Sequence, residues 1–237
     1  MINVEKSMSQ KIVIIGAGGL ACQILDIFEA CIRLGRRYEI LGHIVEDQCR
    51  KPGSQINGLS ILGDFDWFAT SHEEMFVTTA IAAPETKFRL VNKAKKWGIR
   101  FCNIIHPATI LSRQVSIGED VALHAGSILS YGTDIGNHVI VNTNCTIGEN
   151  TIIENFVTLS PAVHVSGEVT IGTGTFIGTG ANIIEKVHIG EWSVIGSGST
   201  IIRDVPPNTT VVGVPGKVIK TREAGWHRHS RLLINMS

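Results

Sequence analysis

The chain has 237 residues, of which 43% are hydrophobic, 6% aromatic and 18% charged; this suits one large or two small globular domains and excludes a disordered chain. Lys plus Arg number 21 and Asp plus Glu number 21, so no basic field marks a nucleic-acid binder and no polybasic stretch marks a membrane surface. No apolar run approaches the roughly 20 residues a membrane helix needs, and the start MINVEKSMSQ lacks the apolar core of a secretory signal. The expected location is the cytoplasm, without membrane insertion. The cysteines (Cys22, Cys31, Cys49, Cys102, Cys145) show no CxxC or CxxH spacing. They read as small buried hydrophobes rather than zinc ligands or disulfide partners, and no metal is expected.

After a tail over residues 1–10, a first domain is expected over 11–103. KIVII at 11–15 is a short apolar run closed by Gly16-Ala17-Gly18-Gly19, and apolar residues at helical spacing follow from Leu20 to Leu34. Strand, glycine turn and helix in that order open a nucleotide-binding βαβ unit, with Gly16, Gly18 and Ala21 matching GxGxxA. Its glycines let backbone amides and a helix N-terminus approach a phosphate. The alternative is a glycine turn with no ligand. A strand over 39–45 ends at Glu46-Asp47, acids placed to hold a ribose or a base edge. Further strands near Ile61, at 75–82 and at 100–104, and a helix over 85–97, complete a small α/β domain. About 90 residues is short for a dinucleotide domain, which favours a mononucleotide or nucleotide sugar.

Beyond residue 104 a period of six takes over. Stepping by six from Ile105 through Leu111, Ile117 and Leu123 to Ile195 and Ile201, every position is Ile, Leu or Val. Small or β-branched residues stand two positions earlier, and glycine often follows, as at Gly118, Gly136 and Gly148. Neither a helix (3.6) nor a plain strand (2) has this period. A short strand plus a corner does, and three such units make one triangular coil with its aliphatic residues stacked inward; glycine at the corners supplies left-handed backbone. The fold class is therefore α/β + β: a small Rossmann-like N-terminal domain followed by a left-handed parallel β-helix of hexapeptide repeats over 104–212, then a C-terminal segment over 213–237. A prism with flat sides and open ends is expected to self-associate.

Three stretches, KIVIIGAGGLA, NIIHPATILSRQVSIGEDV and VIGSGSTIIRDVPPNTTVVGVPGKVIK, carry a resemblance over about residues 11–220. The chain resembles the bacterial nucleotide-sugar acyltransferases that include the sialic acid O-acetyltransferases and the bacillosamine, perosamine and viosamine N-acetyltransferases. The resemblance implies a homotrimer that passes an acyl group from acetyl-CoA or another acyl-CoA to a UDP- or dTDP-linked amino sugar for surface glycan, as in lipopolysaccharide biosynthesis. It implies Thr158 beside the thioester, Thr179 and Gly180 along the pantetheine arm, Ser197 further up, and Pro215 and Lys217 at the terminal VGVPGK, where Lys217 either offers its charge to a CoA phosphate or is merely solvated. It also implies Gly18, Gly19 and Leu20 at the sugar, and Glu46 and Asp47 at the nucleotide.

The chain departs from that family's pattern where histidines are usual. Leu20 stands where a histidine faces the sugar, Glu149 and Asn150 stand at the general base and its orienter, and Thr158 replaces a histidine at the acyl carbonyl. Three explanations are open: Glu149 serves as base with a raised pKa, an amine acceptor needs no protein base, or the protein is inactive. An amine outperforms a hydroxyl as an unassisted nucleophile, so N-acylation leads, with O-acetylation and a non-catalytic nucleotide-sugar binder as rivals. His164 is the expected substitute base. His106, His124 and Asn142, 18 residues apart, are expected to stack in one column, whereas His138 and His188 read as solvated corner residues. The tail is expected to form a helix that packs Trp226 and Leu232–Leu233 against the trimer.

Overall fold

The computed structural model describes residues 9–46, 52–71 and 74–228. Its first part contains, in chain order, β1 (Gln10–Ile15), α1 (Gly19–Arg33), β2 (Tyr38–Ile44), β3 (Gln55–Ile56), β4 (Leu59–Gly63), α2 (Trp67–Thr70), β5 (Phe76–Thr79), α3 (Pro84–Lys95) and β6 (Arg100–Phe101). In space the strands run β3-β4-β2-β1-β5-β6, and all neighbours are parallel except the β3–β4 hairpin. Residues Ile12 to Ile15 are buried because both faces of a parallel sheet are covered. On one face, Ala21, Ile24 and Phe28 of α1 join Ile12 and Ile14; on the other, Leu90 and Ala94 of α3 join Val13, Ile15 and Val77. The chain leaves β1 toward β2 on one side and returns through β5 on the other. The strand order therefore reverses at the C-terminal ends of β1 and β5, the place where open α/β sheets bind ligands.

The strand expected over 100–104 is two pieces: β6 ends the sheet, and Ile104–Ile105 is already the first rung of the β-helix. Between them the Asn103 amide donates to the Gly118 carbonyl at 2.7 Å and accepts from the Val121 N–H at 2.9 Å, which turns the chain into the next coil.

From Ile104 to Ile201, two-residue strands recur every six residues and pair in parallel with those 18 residues away, forming the three faces of a left-handed prism. The first face carries Ile104, Ala122, Ile140, Thr158, Phe176 and Val194 outward. The second starts at Ile110 and the third at Ser116. The inward aliphatic stack is buried from Leu123 to Ile201. The small residues two positions earlier are buried too, and their hydroxyls reach the carbonyl 15 residues on, as in Ser127 to Asn142 (2.8 Å), Thr151 to Ser166 (3.1 Å) and Thr175 to Gly190 (3.2 Å). The buried hydroxyls at these positions are thereby paired.

The structure corrects the reading of the glycines. Left-handed backbone occurs three residues after the inward aliphatic and mostly on larger residues, including Asp120, His138, Phe156 and Trp192. The glycine directly after the aliphatic is needed for space: a Cβ on Gly148 would lie 2.4 Å from the Gly167 nitrogen, and one on Gly190 would lie 2.4 Å from the Pro207 nitrogen.

The prism ends with Thr209–Val212 continuing the first face and Lys217–Thr221 folding back antiparallel onto it. A 3₁₀ turn, Trp226–Arg228, then returns to the first domain. There the His227 ring stacks on Trp192 at 3.6 Å and meets Phe88 of α3 edge-on. Trp226 lies under the Arg222 guanidinium at 4.5 Å, and Leu232–Leu233 fall outside the described residues. Cys31 and Cys145 are buried, Cys22 and Cys102 half-buried, and Cys49 is outside the described residues. No helix among the described residues is long and apolar enough to cross a membrane.

Candidate active site

Two loops flank the reversal point of the sheet. Gly16 to Gly18 lead from β1 into α1, and Ala80 to Ala83 lead from β5 into α3. Gly16 has φ +107°, and a Cβ there would strike the Ala80 carbonyl at 2.9 Å, so the two loops touch and only glycine fits. Neither helix has a side-chain cap; the Ala21 N–H of α1 bonds to the Gly18 carbonyl at 3.0 Å and α3 opens with Pro84, which has no N–H, so the N–H groups of Gly19, Leu20, Glu85 and Thr86 are those a negatively charged ligand could meet. Gly18 and Gly19 are exposed and Leu20 half-buried at this mouth. Of the two acids expected at the nucleotide, Asp47 lies outside the described residues. Glu46 is held by Arg89 at 2.5 Å and Lys93 at 3.0 Å, both from α3. Burial pushes its carboxyl up, but the two cations outweigh that and hold it below its ordinary range.

The crevice between α1 and α3 sits on the first face of the β-helix. Ala21 and Ile24 of α1 cluster with Ala122 and Ile140 of that face. From the other side, Phe88 of α3 packs on Phe156 (5.2 Å between ring centres) and Trp192 (5.6 Å). The end of β5 is tied down by Asp120, whose carboxylate accepts from Thr78 Oγ1 (3.1 Å), Thr79 N–H (2.9 Å) and Thr79 Oγ1 (2.7 Å). His138 Nδ1 lies 2.9 Å from the same carboxylate. His138 is thus no solvated corner residue. It is 1% exposed, stacked on Phe156 and met edge-on by Phe101, with Nε2 3.6 Å from Glu119. The sequence reading failed because this corner of the prism is roofed by the first domain.

Lys87, in the first turn of α3, is fully buried at this seam, and its Nζ lies 3.2 Å from Thr158 Oγ1. Burial pushes the amine down to about 7, opposed by the Asp120 charge. Neither Lys87 nor Asp120 was singled out from the sequence. For Lys87 a signal existed: with Leu90, Val91 and Ala94 it shares the buried face of α3 at helical spacing.

The positions expected along CoA share one edge of the prism, the corner after the first face. Thr158 (2% exposed) and Ser160 (9%) start it. Gly180 follows, its N–H bonded to the Pro161 carbonyl at 3.0 Å, and the Gly198 N–H beside Ser197 bonds to the Thr179 carbonyl at 2.8 Å. Thr179, Ser197, Pro215 and Lys217 are exposed. Pro215 and Lys217, with Arg203 and Asp204, line a cavity of about 360 Å³ at the prism's end.

The same corner continues downward through Asn142, His124 and His106, the expected column. Asn142 Nδ2 reaches Gln23 of α1 at 3.5 Å. His124 is 2% exposed, and burial, with His106 next, pushes it down to about 4, so it is neutral at physiological pH.

The expected catalytic residues are not gathered here within one chain. His164 is exposed on the second face, its Nδ1 2.8 Å from Thr146 Oγ1. Glu149 and Asn150 are exposed on the following corner, a full face away from Thr158. Asn150 has φ +53°, and its side chain lies over Gly132 of the coil below rather than on Glu149. Among the described residues no group of three or more His, Cys, Asp or Glu is placed to hold a metal.

A Rossmann-like sheet whose ligand-binding edge rests on a hexapeptide β-helix defines a class, the two-domain hexapeptide acyltransferases, and comparison with known proteins agrees. Residues 11–94 match the PglD N-terminal domain model, and residues 168–203 match the bacterial transferase hexapeptide (six repeats) model. PerB from Caulobacter crescentus, solved with CoA and GDP-perosamine, is 28% identical with a TM-score of 0.81, over 89% of this chain and 97% of that one. The acetyltransferase domain of PglB from Neisseria gonorrhoeae, solved with acetyl coenzyme A, is 28% identical with a TM-score of 0.80, over 90% and 100%. WeeI from Acinetobacter baumannii shares the fold at 24% identity, with a TM-score of 0.80, over 89% and 100%. No curated protein matches at a significant level. In both of its domains the chain is similar to the nucleotide-sugar acyltransferases with hexapeptide repeats, and it is an acyltransferase.

Proposed function

We propose that the protein transfers an acyl group, acetyl in the first instance, from acyl-CoA to the amino group of a nucleotide-linked amino sugar used for surface glycan. The observation that carries this reading is the meeting of two sites. The start of α3 reaches the β-helix at Thr158 through Lys87, where the edge expected to hold CoA begins, while α1, which follows Gly18–Leu20, packs on Ala122 and Ile140 of the same face. A sugar anchored by its diphosphate at the helix N-termini then presents its amine to a thioester lying along that edge. Positioning supplies most of the acceleration, because it turns a bimolecular attack into a local one.

UDP and dTDP are the nucleotides expected from the sequence, and GDP joins them because PerB was solved with GDP-perosamine. The working form is a cytoplasmic homotrimer. Ile110, Ile128, Ile152 and Ile202 stand exposed on the sides of the prism, an apolar surface suited to a second copy. Such packing would also bring a neighbour's Glu149 or His164 toward Thr158, which a single chain does not do.

Thiol release from acetyl-CoA, followed with GDP-, UDP- and dTDP-linked amino sugars, tests the reading. Release that depends on one of these sugars is expected. Release only with hydroxyl acceptors would make the protein an O-acetyltransferase, and nucleotide-sugar binding without any release would make it a binding protein.

A further inference from the structure

An ammonium group carries three N–H donors, yet among the described residues the Nζ of Lys87 has one hydrogen-bond partner, Thr158 Oγ1. A fully buried charge with most of its donors unmet is costly, and a methionine would fill the same space without that cost. The groups facing it are few. The Asp120 carboxylate is the charge that acts on it, and that carboxylate is already engaged by Thr78, Thr79 and His138. Phe88, the next residue of α3, packs on Phe156 of the prism at 5.2 Å between ring centres. The pair spans the seam between α3 and the prism, level with the start of the edge described above.

Resting on the acyl-transfer reading, we propose that Lys87 and Thr158 handle the proton of the reaction: Lys87, as a neutral amine, takes through the Thr158 hydroxyl the proton that the acceptor ammonium must lose. Lys87 lowered to about 7 by burial is in part neutral at physiological pH. The acceptor's –NH₃⁺ gives one proton to Thr158 Oγ1 as the hydroxyl proton passes to Nζ, leaving a neutral sugar amine and a charged Lys87. The amine lone pair forms the C–N bond to the thioester carbonyl, and the C–S bond breaks. The sulfur leaves as a thiolate that takes the second proton from the new nitrogen. Thr158 touches the reacting amine and is the catalytic residue. Lys87 acts through it and is a positioning residue. The chain thus carries its own proton acceptor where the histidines usual in the family are missing.

The test is the pH profile of kcat, from about pH 5.5 to about pH 9, for the wild type, Lys87→Met, Lys87→Arg and Thr158→Val, each checked for folding by circular dichroism. The wild type is expected to lose activity below a single limb near pH 7. Lys87→Met and Thr158→Val are each expected to lose about 10²-fold in kcat, with little change in KM for acyl-CoA and with the limb gone. Lys87→Arg keeps the charge but cannot give up its proton, and is expected not to rescue. A folded Lys87→Met that retains kcat within a few-fold and an unchanged limb overturns the proposal. If Lys87→Met does not fold, the nearly isosteric Thr158→Val decides the matter by the same criterion. A folded wild type that turns over none of the nucleotide sugars overturns the acyl-transfer reading and this inference together, whereas turnover with an unaltered variant profile overturns the inference alone.

Discussion

Replacing Lys87 by methionine should change not only how stable the protein is but how that stability depends on pH. In the unfolded chain the lysine holds its proton up to about 10.5; in the fold, burial brings it down to about 7. The shift has a fixed sign. Between those two values the unfolded chain binds a proton the folded one releases, so the lysine weakens the fold. That weakening is complete below about pH 7 and fades as the pH rises toward 10.5. A difference of about 3.5 pH units corresponds to roughly 5 kcal/mol at most, at about 1.4 kcal/mol per unit. Methionine removes this penalty and forfeits one hydrogen bond to Thr158, worth about 1 kcal/mol. Urea unfolding of both proteins from about pH 6 to about pH 9 reads the effect. The variant should be the more stable near pH 6, and its advantage should shrink by about 2 kcal/mol between pH 7 and pH 9. Curves that stay parallel over that range would refute the reasoning, because they would show that Lys87 keeps its proton in the fold.

Asp120→Asn, with Thr78, Thr79 and His138 left without their charged acceptor, is expected to cost about 2–4 kcal/mol in unfolding free energy and to move the Lys87 limb to lower pH, since Asp120 supports the lysine's charge. An unmoved limb would sever the link between the two. Gly190→Ala should cost about 1–3 kcal/mol or more by thermal unfolding because its Cβ meets backbone, while Gly198→Asn, left-handed but in open space, should cost under about 1 kcal/mol; equal costs would contradict the crowding argument. Glu149→Gln should lower kcat by less than about tenfold and Lys87→Met by more, and the reverse order would return the proton to Glu149. Lys217→Ala should raise KM for acyl-CoA several-fold at low salt, an effect that shrinks as salt screens an exposed charge; a KM indifferent to salt would remove Lys217 from the CoA phosphates.

The stacking of Ile, Leu and Val every six residues was legible without coordinates because each coil must bury one aliphatic residue per side, and that requirement writes itself into the chain as a period. The glycine turn at Gly16–Gly19 and the alternation of strand and helix before residue 100 were legible for the same reason: local backbone geometry and one-sided burial are local properties. The glycines after the aliphatic positions were misjudged in kind. Glycine signals both left-handed backbone and close approach, and only the neighbouring coil, 18 residues away, shows that Gly148 and Gly190 meet backbone.

What the linear order of residues determined was two architectures, while Thr158, Thr179 and Ser197 were reached only through resemblance. What the tertiary structure alone decided was how the two architectures meet. Setting α3 against the prism buries Lys87 on Thr158 and roofs His138, drawing it to Asp120. It also leaves Glu149 and His164 exposed on other sides of the prism. Burial is a property of pairs of surfaces from distant parts of the chain. A lysine at a helical spacing and a histidine at a corner therefore carry no local mark of the dry seam that sets their chemistry.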